Sequence, residues 1–263
     1  MDQRNRTYLY NGHGHALSGQ IVRPFQQNIE VQAGMSLPTI GGYGATRSEN
    51  FRLKEIVSFK AAYTQVSGSL KQEDNSHTTL VSSIVEGLNI LDVVTADRVV
   101  ARLASQHPTG HDEPHIILLG SHFENLKIAG CPVSVELDHE LFLKMDTFET
   151  VRKEFQSNAE FRRMAEDLYG TGTRQALPEA HGVVHCSLVK EMKTSCPGVK
   201  RQGHAFIVPQ FGKIFLAEVI IEHSKRTLTM LRLSLGSPTC GDMDVAEVQG
   251  NGRPVPPTPG SGS

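Results

Sequence analysis

Histidine carries most of the latent chemistry in this chain: twelve are present, and some stand close together. His13-Gly14-His15 sets two imidazoles at alternate positions, a spacing from which an extended segment can pinch a divalent ion. In His181-Gly182-Val183-Val184-His185-Cys186 the two histidines share one face of a strand and Cys186 points to the other. His181 and His185 are therefore the metal candidates, and a metal-dependent hydrolase is the reaction class they suggest. Cys186 as a nucleophile needs a base brought from elsewhere in the fold, whereas a buried, inert thiol needs nothing further. Asp138-His139-Glu140 gathers acid and base groups where a strand meets a helical stretch, and a solvated turn accounts for them equally well.

No familiar catalytic motif adds to these residues. The chain has no Gly-rich loop between a strand and a helix, no HExxH and no G-x-S-x-G. Gly170-Thr171-Gly172-Thr173 follows a helical pattern, the wrong end for phosphate capture. No cofactor is implied. The formal net charge of −2, with acids and bases mixed, gives no footprint for nucleic acid or an anionic membrane. Trp is absent and aromatics make up 6%, which argues against an aromatic sugar or single-strand platform. Cysteines at 131, 186, 196 and 240 match no zinc ribbon. In a reducing compartment they read as small buried hydrophobes; in an exported chain Cys186–Cys196 is the candidate disulfide. The polar start lacks an apolar signal region, giving a cytoplasmic expectation, and no apolar run is long enough for a spanning helix.

The elements that must position these groups announce themselves by repetition. Glu49-Asn50-Phe51-Arg52-Leu53 returns as Glu86-Gly87-Leu88-Asn89-Ile90 and as Glu124-Asn125-Leu126-Lys127-Ile128. Fixed spacing predicts one supersecondary unit used three times, with Phe51, Leu88 and Leu126 in one interior row and Leu53, Ile90 and Ile128 in another. The three glutamates then approach one another and require solvation or a cation, for which Arg52, Lys54, Arg98, Arg102 and Lys127 are available. Period-two alternation over Phe51, Leu53, Val57, Phe59, Ala61 and Tyr63 gives a half-buried strand, or two strands with a bend near Glu55.

Gly87-Leu88-Asn89-Ile90, Val93-Val94-Thr95-Ala96-Asp97, Gly120-Ser121 and Asn125-Leu126-Lys127-Ile128-Ala129-Gly130 resemble the bacterial surface domains labelled "choice-of-anchor P" over roughly residues 80–135. The resemblance implies a repetitive, extracellular β scaffold of structural or adhesive character.

The predicted fold is mainly β: repeated units in a β-solenoid or β-helix-like stack, with a β-sandwich as the alternative and a short helical insertion. Residues 1–44 read as a polar arm with a first strand, 45–146 as the repeated units and 147–180 as the insertion with its loop. Phe148, Val151, Phe155, Phe161, Met164 and Leu168 carry the helical period, and Asn158 is a cap. Residues 181–248 form a closing β segment and 249–263 a Pro/Gly/Ser-rich tail. Within the closing segment Ile214, Phe215, Leu216, Val219 and Ile220 make a strand apolar on both faces, to be covered by the helices or by a neighbouring copy. The function expected is that of a non-catalytic structural protein that associates with itself into a homo-oligomer, with a surface- or ligand-binding module as the alternative.

Overall fold

A computed structural model describes residues 8–170 and 182–254. Strand makes up 63% and helix 10% of the described residues. The strands are β1 (Tyr8–Arg23), β2 (Gln27–Gln32), β3 (Met35–Ser36), β4 (Gly42–Leu53), β5 (Val57–Lys71), β6 (Ser76–Ile90), β7 (Val94–Pro108), β8 (His115–Ile117), β9 (His122–Glu124), β10 (Lys127–Ile128) and β11 (Cys131–Leu137). Three short helices follow, α1 (His139–Lys144), α2 (Phe148–Ser157) and α3 (Ala159–Glu166). The chain then continues through β12 (Val184–Ser187), β13 (Val189–Thr194), β14 (Lys200–Gln202), β15 (Ala205–Val208), β16 (Gly212–Glu222), β17 (Lys225–Leu235) and β18 (Cys240–Pro254).

These strands form two antiparallel sheets. Sheet A runs β14-β15-β16-β17-β18-β1-β2, with β12 on β16 and β3 on β1; sheet B runs β13-β11-β10-β7-β6-β5-β4, with β8 and β9 on β7. Their facing sides bury one continuous core. Every pairing is antiparallel, so the repeated units lie side by side in one sheet and do not stack as the coils of a solenoid. The polar stretch expected as an arm is β1, a long strand between β18 and β2. Its inward positions carry Tyr8, Tyr10, Gly12 and Gly14, an apolar signal too weak to read by composition. Tyr8 stacks on His77 at 3.9 Å and the Tyr10 hydroxyl bonds His77 Nδ1 at 2.9 Å, closing one end of the core.

The threefold motif has a specific register. Leu53 pairs with Val57, Val57 with Ile90, Ile90 with Val94, Val94 with Ile128 and Ile128 with Cys131, one row across six strands. Phe51 lies opposite Phe59, their rings 5.1 Å apart, and Leu88 lies opposite Ala96. Lys127 pairs with Thr95, which sets Leu126 beside Ala96. Glu49, Ala61, Glu86, Arg98 and Glu124 form the next row, in which Arg98 reaches Glu86 at 3.5 Å and Glu124 at 3.9 Å. Between acid and apolar residue, Asn50, Gly87 and Asn125 all take positive φ (52°, 65° and 49°). Across that level the inward phase changes. On β6, Val81, Ser83 and Val85 point in before Gly87, and Leu88 and Ile90 after it; on β7, Ala96 gives way to Val99. The alternation predicted through Ala61 and Tyr63 breaks for this reason, with Ala62 taking the inward place.

The helices cross from β11 in sheet B to β12 in sheet A. Thr147 and Asn158 cap α2 and α3, and Phe142, Met145, Phe148, Val151, Phe155 and Phe161 are buried. Arg226, at the start of β17, is 1% exposed and ties the crossing down. Its guanidinium donates to Ile116 O at 2.6 Å, to Met145 O and to Thr147 O at 3.4 Å. Burial lowers its pKa to about 10, so it stays cationic at neutral pH. Cys131 and Cys196 are joined in a disulfide that fastens β11 to the segment after β13; Cys186 and Cys240 are free, so the Cys186–Cys196 pairing is corrected.

The phase-change row carries a testable consequence. Asn125→Val puts a β-branched residue at φ 49° and is expected to lower unfolding stability by about 1–2 kcal/mol in urea titration, while Asn125→Gly stays within about 0.5 kcal/mol of wild type.

Candidate functional site

Sheet A has a phase change of its own, and it gathers a set of partly buried charges. Leu216 pairs with Leu231 and Glu218 with Thr229, leaving Ala217 and Met230 unpaired between them. On the next two strands Ala246 and Ala16 fall at the same level. All four are fully buried, and Ala217 and Ala246 have φ of 46° and 52°. The outward residues are therefore three apart along the chain instead of two. One cross-strand row holds Phe215, Arg232, Asp244 and Ser18; the other holds Glu218, Thr229, Glu247 and His15.

Contacts run along and between these rows. Arg232 forks onto Glu218, with Nη2 to Oε1 at 2.9 Å, and its guanidinium lies 3.9 Å over the Phe215 ring. Thr229 Oγ1 donates to Glu247 Oε2 at 2.8 Å. His15 meets Ser18 Oγ at 2.8 Å through Nε2 and approaches Glu247 at 3.9 Å through Nδ1. Burial pulls the His15 pKa down against the pull of Glu247, which favours the neutral ring. Asp244 faces the opposite pressure: burial, then Glu247, raise its carboxyl to about 6, and Arg232 only partly offsets them. A carboxyl that exchanges a proton near neutrality, next to a neutral imidazole and a fixed Arg–Glu pair, can move protons or hold a polar group.

A separate cleft of about 540 Å³ lies between α1, α3 and the β12–β15 region. Its rim mixes Asp138, Lys144, Arg163 and Arg201, and its wall includes Phe161 and His204. The His204 Nδ1 is buried without a partner, and desolvation lowers that ring's pKa to about 4, so it is neutral.

The residues singled out by sequence are dispersed. His181 lies outside the described residues. His185 is half-buried on β12 opposite Ile220, and Cys186 beside it is sealed, its thiol pushed up to about 12 by burial. His13 and His15 point outward from β1, and His15 belongs to the charged cluster. Asp138 caps α1 by accepting from Leu141 N at 3.1 Å, and His139 contacts Ser121 O. No group of three or more His, Cys, Asp or Glu stands ready for a metal among the described residues. Ile214, Phe215, Leu216 and Val219 are buried within the chain, on a strand flanked by β12, β15 and β17; Ile220 is half-buried. Their apolar demand is met without a neighbour.

Residues 8–222 match the profile of a family described as "Domain of unknown function (DUF8256)". The chain belongs to the DUF8256 family. The match ends at the last residue of β16, although β17 and β18 stand between β16 and β1 in sheet A. No curated protein and no solved structure matches this DUF8256 member.

Because the folded pKa of Asp244 exceeds its unfolded value, its protonated form favours folding. The benefit is full below about pH 4 and is lost as pH rises through about 6. Asp244→Asn is expected to remove this slope and to stabilise the protein at pH 8 by about 1 kcal/mol, a figure reduced for partial solvent screening; thermal unfolding between pH 4 and 8 measures it.

Proposed function

We propose that this DUF8256 protein is a non-catalytic structural β scaffold that associates with copies of itself, as a dimer or a larger homo-oligomer. The observation that carries this reading is the open edge of β4. This twelve-residue strand, Gly42–Leu53, pairs with β5 on one side and with no strand on the other among the described residues. Such an edge is a template for a further strand. It takes over the interface role first expected of the β16 residues. The long cross-strand rows support a scaffold reading too, since they fix register over most of sheet B.

The Cys131–Cys196 disulfide supports deployment in an oxidising compartment, in line with the surface character that the resemblance implies and away from the cytoplasm. A ligand-binding module is the second reading, favoured by the mixed-charge cleft beside His204.

Light scattering coupled to size exclusion tests the first reading. A mass of at least twice that of the chain, rising in share with concentration, is expected; a strict monomer at high concentration removes it. Thiol titration of the denatured, unreduced protein from its native host tests the compartment. Two reactive thiols are expected, and four count against an oxidising location.

A further inference from the structure

We infer that two copies of this chain join edge to edge through β4, antiparallel about a two-fold axis at Ala45, so that two copies of sheet B become one continuous sheet. This rests on the self-association reading and adds to it the surface, the partner and the register. Along β4 the outer face shows Tyr43, Ala45, Arg47 and Glu49, all exposed; Gly44, Thr46 and Ser48 are half-buried on the inner side. The usable stretch ends before Asn50. A strand laid across that level must change phase there, as β5 does at Lys60, whereas β4 runs in unbroken register with β5 from Gly42 to Glu49, without such a change.

Chemistry then chooses among registers. Within the chain Arg47 lies opposite Tyr63, its guanidinium 5.0 Å over the ring. A guanidinium has two faces, and a second ring can stack on the one that Tyr63 does not take. An axis at Ala45 sets Tyr43 of the second copy directly opposite Arg47, twice by symmetry, and Tyr43 is 67% exposed in the single chain. The same axis pairs Gly42 with Ser48 and Gly44 with Thr46, and puts only the small Ala45 against itself. Glu49 keeps its ion pair with Arg47 of its own chain. An axis at Arg47 faces two like charges. An axis at Ser48 sets the left-handed Asn50 against Thr46, where the partner strand has no matching change. An axis at Thr46 leaves Tyr43 opposite Glu49 and Arg47 opposite Ala45, without the ring contact. Both halves of the favoured contact lie on one strand, which is why the occupant is a second copy and not a different protein.

Single cysteines read the register. Ala45→Cys is expected to give a disulfide-linked dimer on a non-reducing gel, and Thr46→Cys no more than the wild-type background set by Cys240. A dimer from Thr46→Cys alone overturns the axis, as does no link from either variant in a protein that scattering finds dimeric. A monomeric wild type instead sinks the scaffold reading. Charge at position 43 is the second measurement. Tyr43→Lys, opposite Arg47, is expected to raise the dimer Kd about tenfold or more, whereas Tyr43→Glu leaves it near wild type, with unchanged secondary structure by circular dichroism as the folding control. Equal effects of the two substitutions overturn the proposal.

Discussion

A left-handed residue repeated at one level of a sheet governs much of this molecule. In a regular strand the side chains alternate without interruption, so inward residues stay odd or even from end to end. Here Asn50, Gly87 and Asn125 reverse that phase in sheet B, and Ala217 and Ala246 do the same in sheet A. Neighbouring strands must reverse at the same level or lose their pairing, and Lys60, Asp97 and Met230 occupy those matching places. One strand out of step would turn its remaining apolar residues to solvent. With each buried side chain worth roughly 1.5–3 kcal/mol, that misregister is costly. The bend therefore selects register as well as shape.

The reversal also makes the charged surface of sheet A. It separates Asp244 from Glu247 by two buried residues, Val245 and Ala246, and leaves both carboxyls outward. Arg232 and Glu218 then meet across the level, and His15 meets Ser18. Arg226 solves a different problem, the anchoring of the helical crossing. Its three carbonyl partners come from β8 and from the junction of α1 and α2. A buried cation held by three backbone carbonyls recovers much of its desolvation cost through those bonds, and the carbonyls in turn depend on it.

The motif Glu-(Asn/Gly)-apolar-polar-apolar was visible in the sequence, and so was the row through Leu53, Ile90 and Ile128, while Arg98 was one of five cations that could have met the glutamates. Its meaning was only half visible. The same spacing suits a stacked coil and a meander whose alternate strands carry the motif; the turn after each copy decides for the meander, with positive φ at Lys54, at Leu91 and Asp92, and at Ala129 and Gly130. The apolar character of β16 was legible, and so was the cap at Asn158. Arg226 was not, because a basic residue beside His223, Ser224 and Lys225 reads as part of a solvated turn. His15, Asp244 and Glu247 were hidden by distance, since β1 and β18 stand at opposite ends of the chain. The Cys131–Cys196 link was hidden for the same reason: pairing partners cannot be chosen from spacing alone.

That distance has a consequence for how the protein is made. β1 pairs with β18 from Tyr8↔Pro254 to Arg23↔Cys240, so β1 leaves the ribosome long before its partner and waits for it. Until β18 emerges, β1 has β2 and β3 on one flank and nothing on the other, and β16 and β17 have not closed onto it. Sheet B is different: β4 to β7 are sequential neighbours and can zip up as they appear. Assembly on the ribosome thus divides into an early, local half and a late half in which β18 is inserted like a keystone. Any arrest of translation before residue 240 strands a long, unpaired β1, the state of this chain most exposed to intermolecular capture.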